Sequence, residues 1–81
     1  MRLITSGQIK AARALLGLTV AELAKTAGIC FTTMVRLESA EGIPAGNVKT
    51  LTSVKTAIEK AGIEFIGSPD EGAGVRWQLK K

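Results

Sequence analysis

Histidine and tyrosine are absent from the 81 residues, cysteine and tryptophan occur once each, and proline occurs twice. Each shortage closes off a class of function. Without histidine the usual His/Cys zinc spacings cannot be met, and Ser6, Ser39, Ser53 and Ser68 have no imidazole to activate them as nucleophiles. A single cysteine allows no internal disulfide. No run reaches the roughly 18 consecutive apolar residues that a membrane-spanning helix needs. The opening MRLITSGQIKAAR meets polar residues too early for the apolar stretch of a signal peptide. The chain is therefore expected in the cytoplasm, with no membrane partner. Its carboxylates (Glu22, Glu38, Glu41, Glu59, Glu64, Asp70 and Glu71) fall into no catalytic or metal-binding spacing. No enzyme activity, no cofactor and no metal is expected.

What is present suits one small domain. Apolar residues make up 46% of the chain, enough for a modest core at this length. Eleven Lys and Arg against seven Asp and Glu give a formal charge of +4, which favours a polyanionic partner without proving one.

The first helix is expected over TSGQIKAARALLG, capped by Thr5 or Ser6, with Ile9, Ala12, Leu15 and Leu16 inward and Gly17 at its end. Thr19-Val-Ala-Glu22 has the spacing in which a Thr hydroxyl and a Glu carboxylate satisfy each other's backbone donors, so it opens a second helix. Leu23, Ala24 and Ala27 line its inner face and Gly28 stops it after two turns. Ile29 follows as a buried turn residue. A third helix runs from about Phe31 to Ser39 with Cys30 at its N-cap and Met34 and Leu37 inward. After the loop AEGIPAGN, Asn47 caps a fourth helix with Val48, Leu51, Val54, Ile58 and Ala61 inward, ending at Gly62. The period then changes. Ile63 to Ile66 and Val75 to Leu79 read as two short strands flanking the turn-rich GSPDEGAG, a C-terminal hairpin with Val75, Trp77 and Leu79 on one face. Such a hairpin is marginal alone, so it either packs on the helices or pairs with another chain.

The two short helices and the glycine between them suggest a purpose. A helix that enters a major groove about 12 Å wide must protrude and yet be held from behind. Leu23, Ala27, Ile29, Met34 and Leu37 would hold it, leaving Phe31, Thr32, Thr33, Arg36 and Val35 outside.

Over residues 6–61 the chain resembles the lambda-repressor/Cro-like (XRE-type) helix-turn-helix family of bacterial and phage transcriptional regulators. The resemblance rests on Leu23, Ala24, Ala27, Gly28, Ile29, Met34 and Leu37, framed by LLGLTVAEL and RLE. It implies a mainly α, compact four- to five-helix domain over residues 1–62, followed at residues 63–81 by the hairpin, which would pack on it or mediate dimerisation. It also implies base reading by Phe31, Thr32, Thr33 and Arg36, and a structural pair between Arg13 and Glu38. The sequence departs from the family where Val20 replaces a glutamine that touches phosphate, and where Phe31 replaces a polar reader.

Each of these residues has a plainer alternative. Arg36 is a bidentate reader of guanine, or a phosphate contact, or simply solvated. Thr32 and Thr33 reach bases or phosphates, or are merely tolerated in a first helical turn. Phe31 touches a thymine methyl or a sugar, or is a buried staple. Thr19, Val20, Lys10, Asn47 and Lys49 are the candidate phosphate contacts, through side chains or helix N-termini; lysines on helices are more often just hydrated. Cys30 is a small cap substitute before it is a redox switch. Ile63, Phe65, Val75, Trp77 and Leu79 are the candidate dimerisation residues.

The function expected is that of a sequence-specific regulator of double-stranded DNA, a repressor working as a homodimer on a two-fold operator with half-sites roughly 34 Å apart. One alternative is an antitoxin that binds a toxin protein and represses its own promoter. The other is a protein-interaction module of the same fold that has lost DNA binding.

Overall fold

A computed structural model describes residues 4–40, 48–68 and 71–78. Four helices come first: α1 (Ser6–Leu16), α2 (Val20–Ala27), α3 (Phe31–Ser39) and α4 (Val48–Lys60). Two antiparallel strands follow, β1 (Ile63–Ser68) and β2 (Glu71–Trp77). Asn47 and Leu79, two of the residues singled out above, lie outside the described residues.

Local chemistry accounts for the helix boundaries. Thr5 caps α1: its hydroxyl accepts from the Gln8 N–H at 3.1 Å, and the Gln8 carboxamide accepts from the Thr5 N–H at 2.8 Å. Thr19 and Glu22 repeat the arrangement at α2. Reciprocal caps of this kind satisfy two donors that a helix start otherwise leaves bare. Both helices stop at a glycine. Gly17 and Gly28 take φ of 70° and 73°, where a Cβ is disfavoured, and the next N–H in each case folds back onto the helix: Leu18 to the Arg13 carbonyl and Ile29 to the Ala24 carbonyl. Gly62, at φ 105°, follows the end of α4.

The four helices and β1 share one hydrophobic core. Ile9 and Ala12, Leu23 and Ala24, Met34 and Leu37, Leu51, Val54 and Ile58, and finally Ile63 and Phe65 are buried in a single cluster. Each large aliphatic side chain there contributes about 1.5–3 kcal/mol by leaving water. Ile63 and Phe65 therefore do not offer themselves to a second copy as the sequence suggested. They alternate onto the face of the hairpin turned to the helices, and the chain's own core covers them.

Four further expectations are corrected. Leu15, Val48 and Ala61 are exposed, Val48 at 64%, because the first turn of α4 and the ends of both helices outrun the core. The eight-residue turn is shorter than expected, since β1 reaches Ser68 and β2 begins at Glu71. A register shift between Ile66 and Ser68 makes this possible, with Gly67 and Gly72 both at positive φ. A Cβ on Gly67 would collide with the Gly72 carbonyl.

A buried side chain ties the hairpin down. The Gln8 carboxamide donates to the Ile66 carbonyl at 3.2 Å and to the Gly74 carbonyl at 2.9 Å, so one residue caps α1 and grips both strands. Across the strands Arg76 pairs with Glu64 at 3.1 Å in an exposed contact.

Candidate nucleic-acid interface

The α2–turn–α3 segment is built to hold α3 from one side only. Met34 is fully buried, Leu37 and Glu38 nearly so, and these three define the inner side of the helix. At the i, i+3 and i+4 spacing of a helix, the remaining positions must face outward. Phe31 is 56% and Val35 39% exposed, Thr32 and Arg36 are exposed, and Thr33 is half-buried at the margin. Phe31 is thus not a buried staple. One face of α3 carries an aromatic ring, a hydroxyl, a branched aliphatic and a guanidinium together.

Polar contacts from α1 fix the other end of α3. Arg13 Nε donates to both carboxylate oxygens of Glu38, at 3.1 and 2.9 Å, and Arg13 Nη1 donates to the Leu18 carbonyl at 3.2 Å. Ser6, itself buried, donates its hydroxyl proton to the Ala40 carbonyl at 2.6 Å, just beyond the last turn of α3. Arg13 and Glu38 therefore form the ion pair that the resemblance implied. Ser6 is a contact the sequence did not reveal, because nothing in its spacing distinguishes a buried serine from a capping one. Gln8 had a legible signal that was passed over: Thr5-x-x-Gln8 has the reciprocal capping spacing.

At the start of α3, Cys30 has extended backbone angles, as an N-cap requires, but its side chain makes no capping hydrogen bond. The thiol is exposed and forms no disulfide. The first N–H groups of α3 consequently lack the side-chain acceptor that Thr5 and Thr19 supply to the other helices, and they carry the positive end of the helix dipole.

The proposed phosphate contacts divide. Lys10 and Lys49 are exposed. Thr19 is exposed, but its hydroxyl and N–H are both engaged with Glu22. Val20 is half-buried and packs against the core, which leaves its backbone N–H as the group it can offer.

A shallow groove of about 320 Å³ lies between α2 and α4, lined by Thr26, Thr52, Ser53, Thr56 and Lys60 among others. The Thr26 and Ser53 hydroxyls donate back into their own helices, to the Glu22 and Lys49 carbonyls, so these polar groups do not converge on a guest. Among the described residues no three His, Cys, Asp or Glu side chains gather as metal ligands. No helix among the described residues is long and apolar enough to cross a membrane. No protein-family model matches the chain, and no curated protein matches its sequence.

Proposed function

We propose that the protein is a sequence-specific regulator of double-stranded DNA, of the lambda-repressor/Cro-like helix-turn-helix kind, acting as a repressor and as a homodimer. The observation that carries this reading is the outward face of α3. Phe31, Thr32, Val35 and Arg36 stand clear of the fold, while Met34, Leu37 and Glu38 anchor the same helix from behind. Those side chains match what base edges present in a major groove. A guanidinium pairs with guanine, a hydroxyl serves either donor or acceptor, and apolar groups meet the thymine methyl. The uncapped N-terminus of α3, the exposed Lys10 and Lys49 and the net charge of +4 suit the surrounding phosphates.

Footprinting and mobility-shift assays on the DNA flanking the chain's own coding sequence test this reading. Arg36→Ala is expected to cost about 1–3 kcal/mol of binding to the protected site and to relax preference at one base position, with Thr32→Ala giving a smaller loss. Equal, weak binding of wild type and both variants to any duplex would refute it.

The exposed Phe31 and Val35 also favour a second reading, in which the same face binds a protein, as an antitoxin binds a toxin. Recovery of a stoichiometric protein partner whose contact is lost in Phe31→Ala, with no protected DNA site, would favour that reading over the first.

A further inference from the structure

We infer that the outward face of α3 recognises a 5-methylpyrimidine followed on the same strand by guanine, so that methylation of cytosine at C5 strengthens binding to a cytosine–guanine step. The inference rests on the DNA-reading function proposed above and names the base step which that face selects.

Two rows of side chains run along that face. Each residue turns an α-helix by about 100°, and Met34, Leu37 and Glu38 take up one inward sector. The middle of the opposite side falls between Thr32 and Arg36, which stand one turn apart and are both exposed. Phe31 and Val35 form a second row, displaced to one flank only, and they too are exposed, at 56% and 39%. On the other flank Thr33 is half-buried. A hydroxyl and a guanidinium therefore lie alongside a ring and two methyls, one row against the other. Nor is Arg36 committed within the fold. Arg13 and Arg76 are each paired with a glutamate, whereas Arg36 takes part in none of the ion pairs among the described residues. Glu38, the carboxylate of its own helix, is buried and engaged with Arg13.

The chemistry of base edges fits this arrangement at one kind of step. A guanidinium binds guanine through its O6 and N7 acceptors, and no other base shows two acceptors in the major groove. The apolar row needs an apolar group beside that guanine, and the 5-methyl of thymine is the one that unmodified bases present. It projects into the groove beside the base that follows on its strand, so a thymine–guanine step sets methyl and guanine edges next to each other. Pyrimidine–purine steps of this kind also unstack readily, which opens the pyrimidine to a side chain packed on it. Cytosine carries only hydrogen at C5. A methyl added there restores the group that thymine supplies and leaves the pairing with guanine intact. Neither Phe31 nor Val35 has a side-chain donor or acceptor with which to tell the thymine O4 from the cytosine amine.

Selection of duplexes from a random pool, by wild type and by Arg36→Ala, locates the guanine as the base whose preference the variant loses. A thymine is expected immediately 5′ to it. Four versions of the selected site then carry thymine, uracil, 5-methylcytosine or cytosine at that position, each opposite its own partner base. Wild type is expected to bind the thymine site about fourfold more tightly than the uracil site for each half-site, because the two differ by one methyl. The same factor is expected between the 5-methylcytosine and cytosine sites. Phe31→Ala/Val35→Ala, at two exposed positions, is expected to keep the fold by circular dichroism and to bring both ratios close to one. A selected site with no pyrimidine before that guanine would overturn the inference, as would an Arg36→Ala variant with unchanged preferences. So would equal binding of the 5-methylcytosine and cytosine sites, or a methyl preference that the double variant retains. Each of these outcomes requires a selected site and so leaves the DNA reading in place. A wild type that selects no sequence would bring down that reading and the inference with it.

Discussion

Arg13 and Glu38 meet side-on, the single Nε–H of the arginine lying 3.1 and 2.9 Å from the two carboxylate oxygens. The glutamate side chain is 7% exposed and the arginine 26%, so the acid is the member that burial penalises. Breaking such a pair strands a charge, whereas replacing both members removes the problem. Glu38→Ala is expected to lower stability by about 2–3 kcal/mol in urea unfolding, less than for a fully buried pair because water still reaches Arg13. The double variant Arg13→Met/Glu38→Leu is expected to recover most of that loss. If the double variant loses as much as the sum of the single ones, the pair is not the reason for the sensitivity.

Cys30 is the weak cap of the three that are described. Serine there would accept from an N–H in the first turn of α3, as Thr5 and Thr19 do in their helices. Cys30→Ser is expected to raise the unfolding free energy by about 0.5–1 kcal/mol. Its effect on DNA binding separates two roles for the same N–H groups. If they contact a phosphate, the more stable variant binds more weakly.

Gln8 donates to one carbonyl from each strand, so its loss should loosen the hairpin before it loosens the helices. Gln8→Ala is expected to cost about 1–3 kcal/mol by removing two hydrogen bonds to half-buried strand carbonyls and half of the reciprocal cap of α1. Amide exchange is the sharper measurement: protection should fall in Ile63 to Trp77 more than in α2. Uniform loss across the chain would mean that Gln8 merely supports the whole fold.

On a protected DNA site, the ring of Phe31 and the methyls of Val35 lie one helical turn apart on the same outward face. Thymine methyls are the apolar groups that base edges show in the major groove. Replacing thymine by uracil at the contacted positions is expected to weaken binding by about 0.8 kcal/mol per methyl, roughly fourfold. Phe31→Ala should bind both DNAs alike. A wild type indifferent to the exchange would remove Phe31 and Val35 from the proposed base-reading face.

The elements that were legible in the sequence are those governed by local chemistry. Thr19 and Glu22 announced α2, and Gly17 and Gly28 announced the ends of two helices, because caps and left-handed residues act within five positions along the chain. The inward places of Met34 and Leu37 followed from helical spacing. Exposure did not, because it depends on what lies across the fold. Val48 and Ala61 share the apolar stripe of α4, yet the core stops short of both. Ile63 and Phe65 were read as dimerisation residues, because a short apolar strand carries no information on whether helices or a second copy cover it. The bulge at Gly67 and Gly72 shortened a turn whose composition alone suggested a longer one.

Ser6 and Gln8 belong to a single turn of α1, and they reach in different directions. One bonds the carbonyl just past α3, the other the two strands of the hairpin. That one turn carries the polar ties of both the hairpin and the far end of α3, so a single lesion there loosens two separate surfaces at once.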